Sequence, residues 1–482
     1  MRPEVIALAI VAAVIFATIV FALLIVGRVK MDPQEYIVGS RSFGALLLWI
    51  LLAGEIYTSF TFLGAAGWAY GRGAPAFYIL AYGTVAYTIG YFLLPALWRV
   101  GKAHGLLTLP DFFIVRYESK ALGVTVAVLQ FLLVVPYVTL QLTGLQILLS
   151  IAGYGRFNAT VAVGTAFIAI ALFVFTAGLR GTAWASVIKD TSVLLAVIFA
   201  GIILPIHFFG SPAAMVSHVL AVQPHWMTLA RGTLPQGEIW YISTVLLSGI
   251  GFFMGPANAP AIYSARNEST LRRNMVLMPL YQIVLLLVFF AGFTALAVMP
   301  GLKGPAADQS FMLLLQRTYP AWVLGLIAAA GSLAALLPAS ALLLGAASVV
   351  SKNVLGDLFN VATGDRARTW ATRALVLLIA FLALALWIFE KRSLVELLLL
   401  YYNGITQLMP GVLFALLWPR VSAWAVAAGI AGGELVALYL AHQNAGPWGV
   451  NPGFFALAIN VALCTAVALA FPKQRPAVAA SL

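Results

Sequence analysis

Two charged residues stand side by side in an apolar run of helix length: Lys189 and Asp190 in WASVIKDTSVLLAVIFAGIILPI, residues 184–206. A third, Glu55, lies inside LLLWILLAGEIYTSFTFLGAAGWAYG, residues 46–71, between Gly54 and the polar cluster Tyr57, Thr58, Ser59 and Thr61. Each charge at the centre of a bilayer costs about 2.5–3.5 kcal/mol on insertion scales, and groups kept at that cost serve as proton relays or ion sites. Neighbours in a helix point about 100° apart. Lys189 and Asp190 are therefore expected to pair poorly with each other, and Glu55 is the nearest further partner in type. The plainer alternative is that Lys189 snorkels to the membrane rim.

Other polar groups sit where helices are expected to break or turn inward. VLLSGIGFFMGPANAPAIYSA, residues 245–265, contains Pro256, Asn258 and Pro260 among several glycines. Each proline deletes a backbone donor, so one continuous helix is hard to keep there. Interrupted spans in corresponding halves of a transporter mark a midplane site, because freed amides and carbonyls can hold a ligand. Tyr137 and Gln141 in one run, and Asn403 and Gln407 in another, are each four residues apart and share a helix face. These pairs could bind a small polar solute or serve as interhelical glue. Glu434 is expected to be structural.

The elements that must position these residues follow from composition. Of 482 residues, 63% are hydrophobic and 9% charged, against about 25% charged in soluble domains. This is a membrane chain, and continuous runs of roughly 20 apolar residues select helices rather than a barrel. We expect thirteen spans, at about 4–27, 44–69, 75–98, 121–153, 158–178, 184–208, 239–263, 272–299, 321–351, 369–389, 394–418, 423–441 and 453–471. The first is read as a retained helix, not a cleaved signal. Eighteen Lys and Arg fall on one side of that arrangement and eight on the other, which puts the N-terminus outside and the C-terminus in the cytoplasm. The net charge of +12 is thus a topology signal, and no nucleic-acid partner is expected. The single cysteine, Cys464, and five scattered histidines offer no metal or disulfide framework. No GxxxxGK[ST] loop is present for ATP. Broken spans 2 and 7 are five apart. This predicts two inverted five-helix repeats, 42–210 and 238–420, flanked by an N-terminal helix in 1–30 and C-terminal helices and tail in 421–482.

Several stretches, in order, resemble the sodium:solute symporter family: EYIVGSRSFG at 35–44, LPDFFIVRYESKALG at 109–123 and PYVTLQLTGLQ at 136–146. Others are similar to its monocarboxylate-permease branch: GEIYTSFTF at 54–62, AGLRGTAWASVIKDT at 177–191, LRRNMVLMPLYQ at 271–282 and LLPASALLLGAASVVSKNVL at 336–355. The resemblance implies a LeuT-type fold and uptake of small monocarboxylates such as lactate, pyruvate, propionate or acetate. Sodium-coupled members hold the ion with carbonyls of the first core helix, here near Gly54 and Tyr57. Two adjacent hydroxyls on the eighth core helix complete that site. In SLAALLPAS, residues 332–340, the matching positions are Leu337 and Pro338, with Ala334 also in the former site, and leucine offers no side-chain oxygen to a hard cation. Asp190, or Ser340 or Ser332 in a shifted register, would be needed in their place.

The expected function is therefore a proton-coupled or sodium-independent monocarboxylate transporter, not an enzyme. Lys189, Asp190 and Glu55 would handle the proton. Gly54, Tyr57, Thr58, Tyr137, Gln141, Pro256, Asn258, Asn403 and Gln407 would line the substrate site. It would work as a single copy in lipid, without a resident cofactor or metal. The alternatives are a sodium symporter for an amino acid, sugar or urea, and a transporter-like sensor.

Overall fold

The computed structural model describes residues 1–26, 41–54, 56–361, 364–389, 392–443 and 446–472. Glu55 lies outside the described residues, as do the topology-signal residues Arg28, Lys30, Lys391, Lys473 and Arg475. The described residues form twenty α-helices in chain order: α1 (Pro3–Val26), α2 (Ala45–Gly54), α3 (Ala65–Arg72), α4 (Tyr78–Ala103), α5 (Leu109–Tyr117), α6 (Lys120–Ala152), α7 (Ala159–Ile198), α8 (Leu204–Phe209), α9 (Pro212–Val222), α10 (Glu238–Gly251), α11 (Asn258–Ser264), α12 (Glu268–Gln282), α13 (Leu285–Val298), α14 (Ser310–Thr318), α15 (Ala321–Val349), α16 (Asp365–Phe389), α17 (Leu394–Ile405), α18 (Met409–Leu417), α19 (Ala423–Gln443) and α20 (Pro452–Ala470).

Among the described residues, ten helical stretches are long and apolar enough to cross a membrane, or eleven if the pair 238–254 and 258–264, bent by 60°, counts as one span. Two of the thirteen expected spans, 44–69 and 158–178, are not among these candidates. Residues 44–69 are split, because α2 is only ten residues long and helix resumes with a π-turn at Phe60–Gly64. Residues 158–208, expected as two spans, begin with one unbroken 40-residue helix, α7. Its sequence holds Gly164, Gly178 and Gly181 but no proline, and glycine weakens a helix without removing a backbone hydrogen bond.

The core is organised around α15, which is buried along nearly its whole length and packs on α1, α6 and α7. Lipid would accept an apolar helix as readily as a protein core, so burial here follows from the Ala, Gly and Ser residues of α15, which let neighbours approach closely. Gly325 is one such contact: a Cβ there would lie 2.9 Å from Ala7 Cα. The bend between α10 and α11 also has a local cause. Pro256 drives the preceding residue out of helical geometry, and Gly255 is extended at φ −66°, ψ 157°. Phe43 and Ala265 form an isolated parallel bridge. Phe43 N–H donates to Ser264 O at 3.0 Å and Arg266 N–H to Phe43 O at 3.0 Å, so the start of α2 is tied to the end of α11.

Buried carboxylates fasten both ends of the bundle. At one end Asp111, on α5, accepts from Asn353 Nδ2 at 2.6 Å and from the Leu107 and Thr108 amides at 2.9 and 3.1 Å, and pairs with Lys352. Burial alone would raise its pKa, but Lys352 and these donors together hold it below the usual carboxylate range. At the other end Asp308 is fully buried beside Gly67 of α3 and accepts from the Leu394 amide at 2.8 Å. No cation pairs with it among the described residues. Its carboxyl is pushed up to about 8, chiefly by burial; the Leu394 amide opposes the shift and Glu396 adds to it.

The Asp308 shift fixes a sign. The folded chain keeps this proton between about pH 4 and pH 8, where the unfolded chain has lost it, so this group's contribution to stability falls as pH rises through that window. Thermal melting in detergent from about pH 5 to pH 8.5 should therefore show a downward slope for the wild type that Asp308→Asn flattens. Identical slopes in the two proteins would contradict the assignment.

Candidate functional site

Where α2 stops at Gly54, the chain makes a turn before helix resumes at Phe60. The side chains of this stretch satisfy the backbone that the helix no longer pairs. Thr58 N–H donates to Thr61 Oγ1 at 2.9 Å, Phe60 N–H to Thr58 Oγ1 at 3.1 Å, and Thr61 Oγ1 to Ile56 O at 2.9 Å. Ser59 Oγ donates to Gln141 Oε1 at 2.6 Å, and its amide donates to the same oxygen at 3.3 Å. Among the described residues of this stretch, two further carbonyls, Gly54 O and Tyr57 O, face α7. Lys189 Nζ donates to them at 2.8 and 3.4 Å.

Lys189 is fully buried, so it does not snorkel. Its ammonium also lies 3.0 Å from Asp190 Oδ1, an ion contact but not the ideal pair that the geometry of neighbours on a helix excludes. The 100° between them applies to their Cα–Cβ directions, and the lysine's four-carbon stem bends across that angle. Neither Asp190 oxygen has a hydrogen bond of good geometry among the described residues, so the contact is ionic and oblique, and the Tyr281 hydroxyl also faces this carboxylate. Three oxygens thus surround one ammonium, which has three N–H donors. A Cβ on Gly54 would come within 3.2 Å of Nζ and 3.4 Å of Ser186 Oγ, so glycine leaves room for this approach. Tyr57 Oη donates to Tyr281 O at 3.2 Å, and the two rings meet edge to face at 4.7 Å.

On α15, Ala334, Leu337 and Pro338 are buried and supply no hydroxyl. Ser340 Oγ donates to Leu336 O in its own helix at 2.7 Å. Ser332 Oγ is buried without a partner among the described residues. Among the described residues no group of three or more His, Cys, Asp or Glu is placed to hold a metal ion.

The remaining candidates fall into separate settings. Gln141 holds the α2–α3 interruption through Ser59, and its Nε2 is left without a partner. Tyr137 is buried 5.0 Å, ring to ring, from Tyr401. At the second interruption Asn258 Nδ2 donates to Phe252 O at 2.9 Å, Gln130 Nε2 donates to Met254 O at 2.6 Å, and Pro256 packs on Gly345. Gln407 is used between helices: its Nε2 donates to Asn403 O and Gly453 O, both at 3.0 Å, and Asn460 Nδ2 donates to Gln407 O at 2.8 Å. Asn403 instead keeps Oδ1 without a partner among the described residues and lines a cavity of about 430 Å³ with Trp68, Trp240, Glu396 and Asn451. Sequence reasoning missed Tyr281, Ser186 and Gln130. Only Tyr281 had a visible signal, the polar pair that ends LRRNMVLMPLYQ.

Residues 36–432 match the family model described as Sodium:solute symporter family. The chain is 38% identical over 461 residues to an uncharacterized symporter, YhjB, of Bacillus subtilis, covering 93% of this chain and 94% of the relative. It is 28% identical over 460 residues to the monocarboxylate transport permease protein of Rhizobium johnstonii, covering 92% and 91%. Its fold matches that of a solved Na+-coupled sialic acid symporter in a substrate-bound, outward-open state, with a TM-score of 0.82 at 15% identity over 98% of this chain and 99% of the other.

The Ser59–Gln141 contact makes a direct prediction. Gln141→Leu keeps the bulk but strands the buried Ser59 donors, which should cost about 1–3 kcal/mol of stability. Thermal or denaturant unfolding in detergent measures it, and an unchanged midpoint would show that Gln141 does not hold the interruption together.

Proposed function

The chain belongs to the sodium:solute symporter family, whose members are membrane transporters, and on that premise we propose that it takes up small monocarboxylates by alternating access, driven by protons and not by sodium. The single observation that carries this reading is the buried ammonium of Lys189 against Gly54 O and Tyr57 O. Carbonyls left open by a broken helix suit a cation. Here the protein supplies that cation itself, and the Leu337 and Pro338 positions offer no hydroxyls to a sodium ion.

Lys189 then serves as the proton carrier, with Asp190 beside it at 3.0 Å and Glu55 as the third ionisable group of this region. Losing the proton frees two carbonyls and exposes an uncompensated Asp190. Regaining it restores the cage. Such an exchange links protonation to the packing of α2 on α7, and so to which side of the site is open. The same positive charge, with amide ends of the bent α10–α11 segment, favours a carboxylate. Likeness to the Rhizobium permease supports the monocarboxylate class. Tyr57, Thr58, Tyr137, Gln141, Pro256, Asn258, Asn403 and Gln407 remain the proposed lining, with Asn403 better placed than Gln407, whose amide is already engaged. The arrangement proposed for the whole chain is thirteen spans in two inverted repeats, N-terminus outside, acting as a monomer.

A potential of 100 mV is worth about 2.3 kcal/mol per charge moved, about a fiftyfold accumulation. A monocarboxylate entering with one proton moves no net charge, so its uptake would follow the pH difference alone. Labelled lactate uptake into proteoliposomes, with pH and sodium gradients imposed separately, tests this. Acid outside should drive accumulation, and sodium should have no effect. Lys189→Ala should abolish pH-driven accumulation, and Asp190→Asn should impair it more than Glu434→Gln. Strict sodium dependence, or full pH-driven uptake by Lys189→Ala, would overturn the proposal and favour a sodium symporter of another solute.

A further inference from the structure

A cavity of about 540 Å³ lies between α2, α7 and α12, with Tyr281 of its lining standing between it and the Lys189 cage. Its walls are Leu46, Trp49, Leu194, Leu277, Leu280 and Val284. Leu46 and Leu280 are 73% and 68% exposed at its edge, and in a membrane protein such side chains face hydrocarbon. The cavity therefore opens to the bilayer, and its volume is that of a small-molecule site. A carboxylate passing through it would lose its hydration to apolar walls.

The wall of this space contains one amide for which the described residues offer no partner. Asn274 is fully buried, and neither its Oδ1 nor its Nδ2 makes a hydrogen bond. A buried polar group of this kind is unfavourable unless a ligand completes it. The next residue, Arg273, is exposed and lines the same cavity. An apolar slot, a buried donor-acceptor amide and a guanidinium at the rim match the three parts of one kind of molecule. They fit an acyl chain, an ester or glycerol oxygen, and a phosphate, which arginine binds through paired N–H groups.

The geometry points to this cavity as a binding site for an anionic glycerophospholipid of the surrounding membrane, with Asn274 meeting its ester region and Arg273 its phosphate. This holds whatever solute the protein carries. The lipid would also brace α2: Trp49 meets Tyr281 edge to face at 5.0 Å, and Tyr281 meets Tyr57 at 4.7 Å. One aromatic layer thus separates the cavity from the carbonyls that hold Lys189.

Native mass spectrometry of the purified, delipidated full chain, titrated with dioleoyl phosphatidylglycerol and dioleoyl phosphatidylcholine, tests the assignment. The wild type should retain one phosphatidylglycerol in preference to phosphatidylcholine. Arg273→Gln should reduce that preference about fivefold, the effect of one basic residue at an anionic surface. Leu277→Trp, which fills the cavity, should lose the tight lipid. Asn274→Leu removes the unpaired amide and should fold at least as stably while binding the lipid more weakly, so it carries the test if Leu277→Trp fails to fold. Equal retention of both lipids by the wild type, or wild-type retention by Asn274→Leu, would overturn the assignment. So would displacement of the lipid by propionate, which would place the cavity on the transport path.

Discussion

A helix broken inside a membrane leaves carbonyls that water cannot reach, and everything at this site follows from how they are satisfied. Gly54 O and Tyr57 O are two such groups. Their partner is a fully buried lysine from α7, itself countered by the adjacent aspartate. The arrangement is cheaper than its parts. An isolated ammonium or carboxylate in hydrocarbon would be strongly unfavourable, and so would the unpaired carbonyls. Together they neutralise one another in one small volume. The consequence is mechanical, because α2 cannot move relative to α7 without exposing a charge.

The rest of the fold keeps this cluster in register. α15 packs on α1, α6 and α7, so α7 has a fixed wall behind it. The Phe43–Ala265 bridge joins the two interrupted segments, so a shift in one is passed to the other. Asp111 with Lys352 at one end, and Asp308 against α3 and Leu394 at the other, clamp the bundle. The Asp308 clamp lacks a cation among the described residues and so responds to pH, whereas the Asp111 clamp is charge-compensated.

Much of this was legible in the sequence because membranes penalise exceptions. Lys189, Asp190, the glycine and hydroxyl cluster around 54–61, and Pro256 stood out because each breaks the rule of an apolar, continuous helix. The missing hydroxyls at Leu337 and Pro338 could be read from the family resemblance alone. What could not be read was which polar atom meets which. Sequence spacing gives Cβ directions, so it excluded an ideal Lys189–Asp190 pair but not the oblique ion contact that a long flexible stem allows. Gln141, Gln407 and Asn403 look alike in sequence, yet two are engaged in holding neighbouring segments and one keeps a free oxygen beside a cavity. Such distinctions depend on long-range packing.

The central claim is that the place between Gly54, Tyr57 and α7 is already filled by a protein cation. Sodium-specific thermal stabilisation of the purified wild-type chain tests it most directly. A ligand that binds only the folded state at a hundred times its dissociation constant adds about 2.7 kcal/mol of stability. The account predicts that replacing choline by sodium at constant ionic strength leaves the melting midpoint unchanged. A saturable, sodium-specific rise would contradict it.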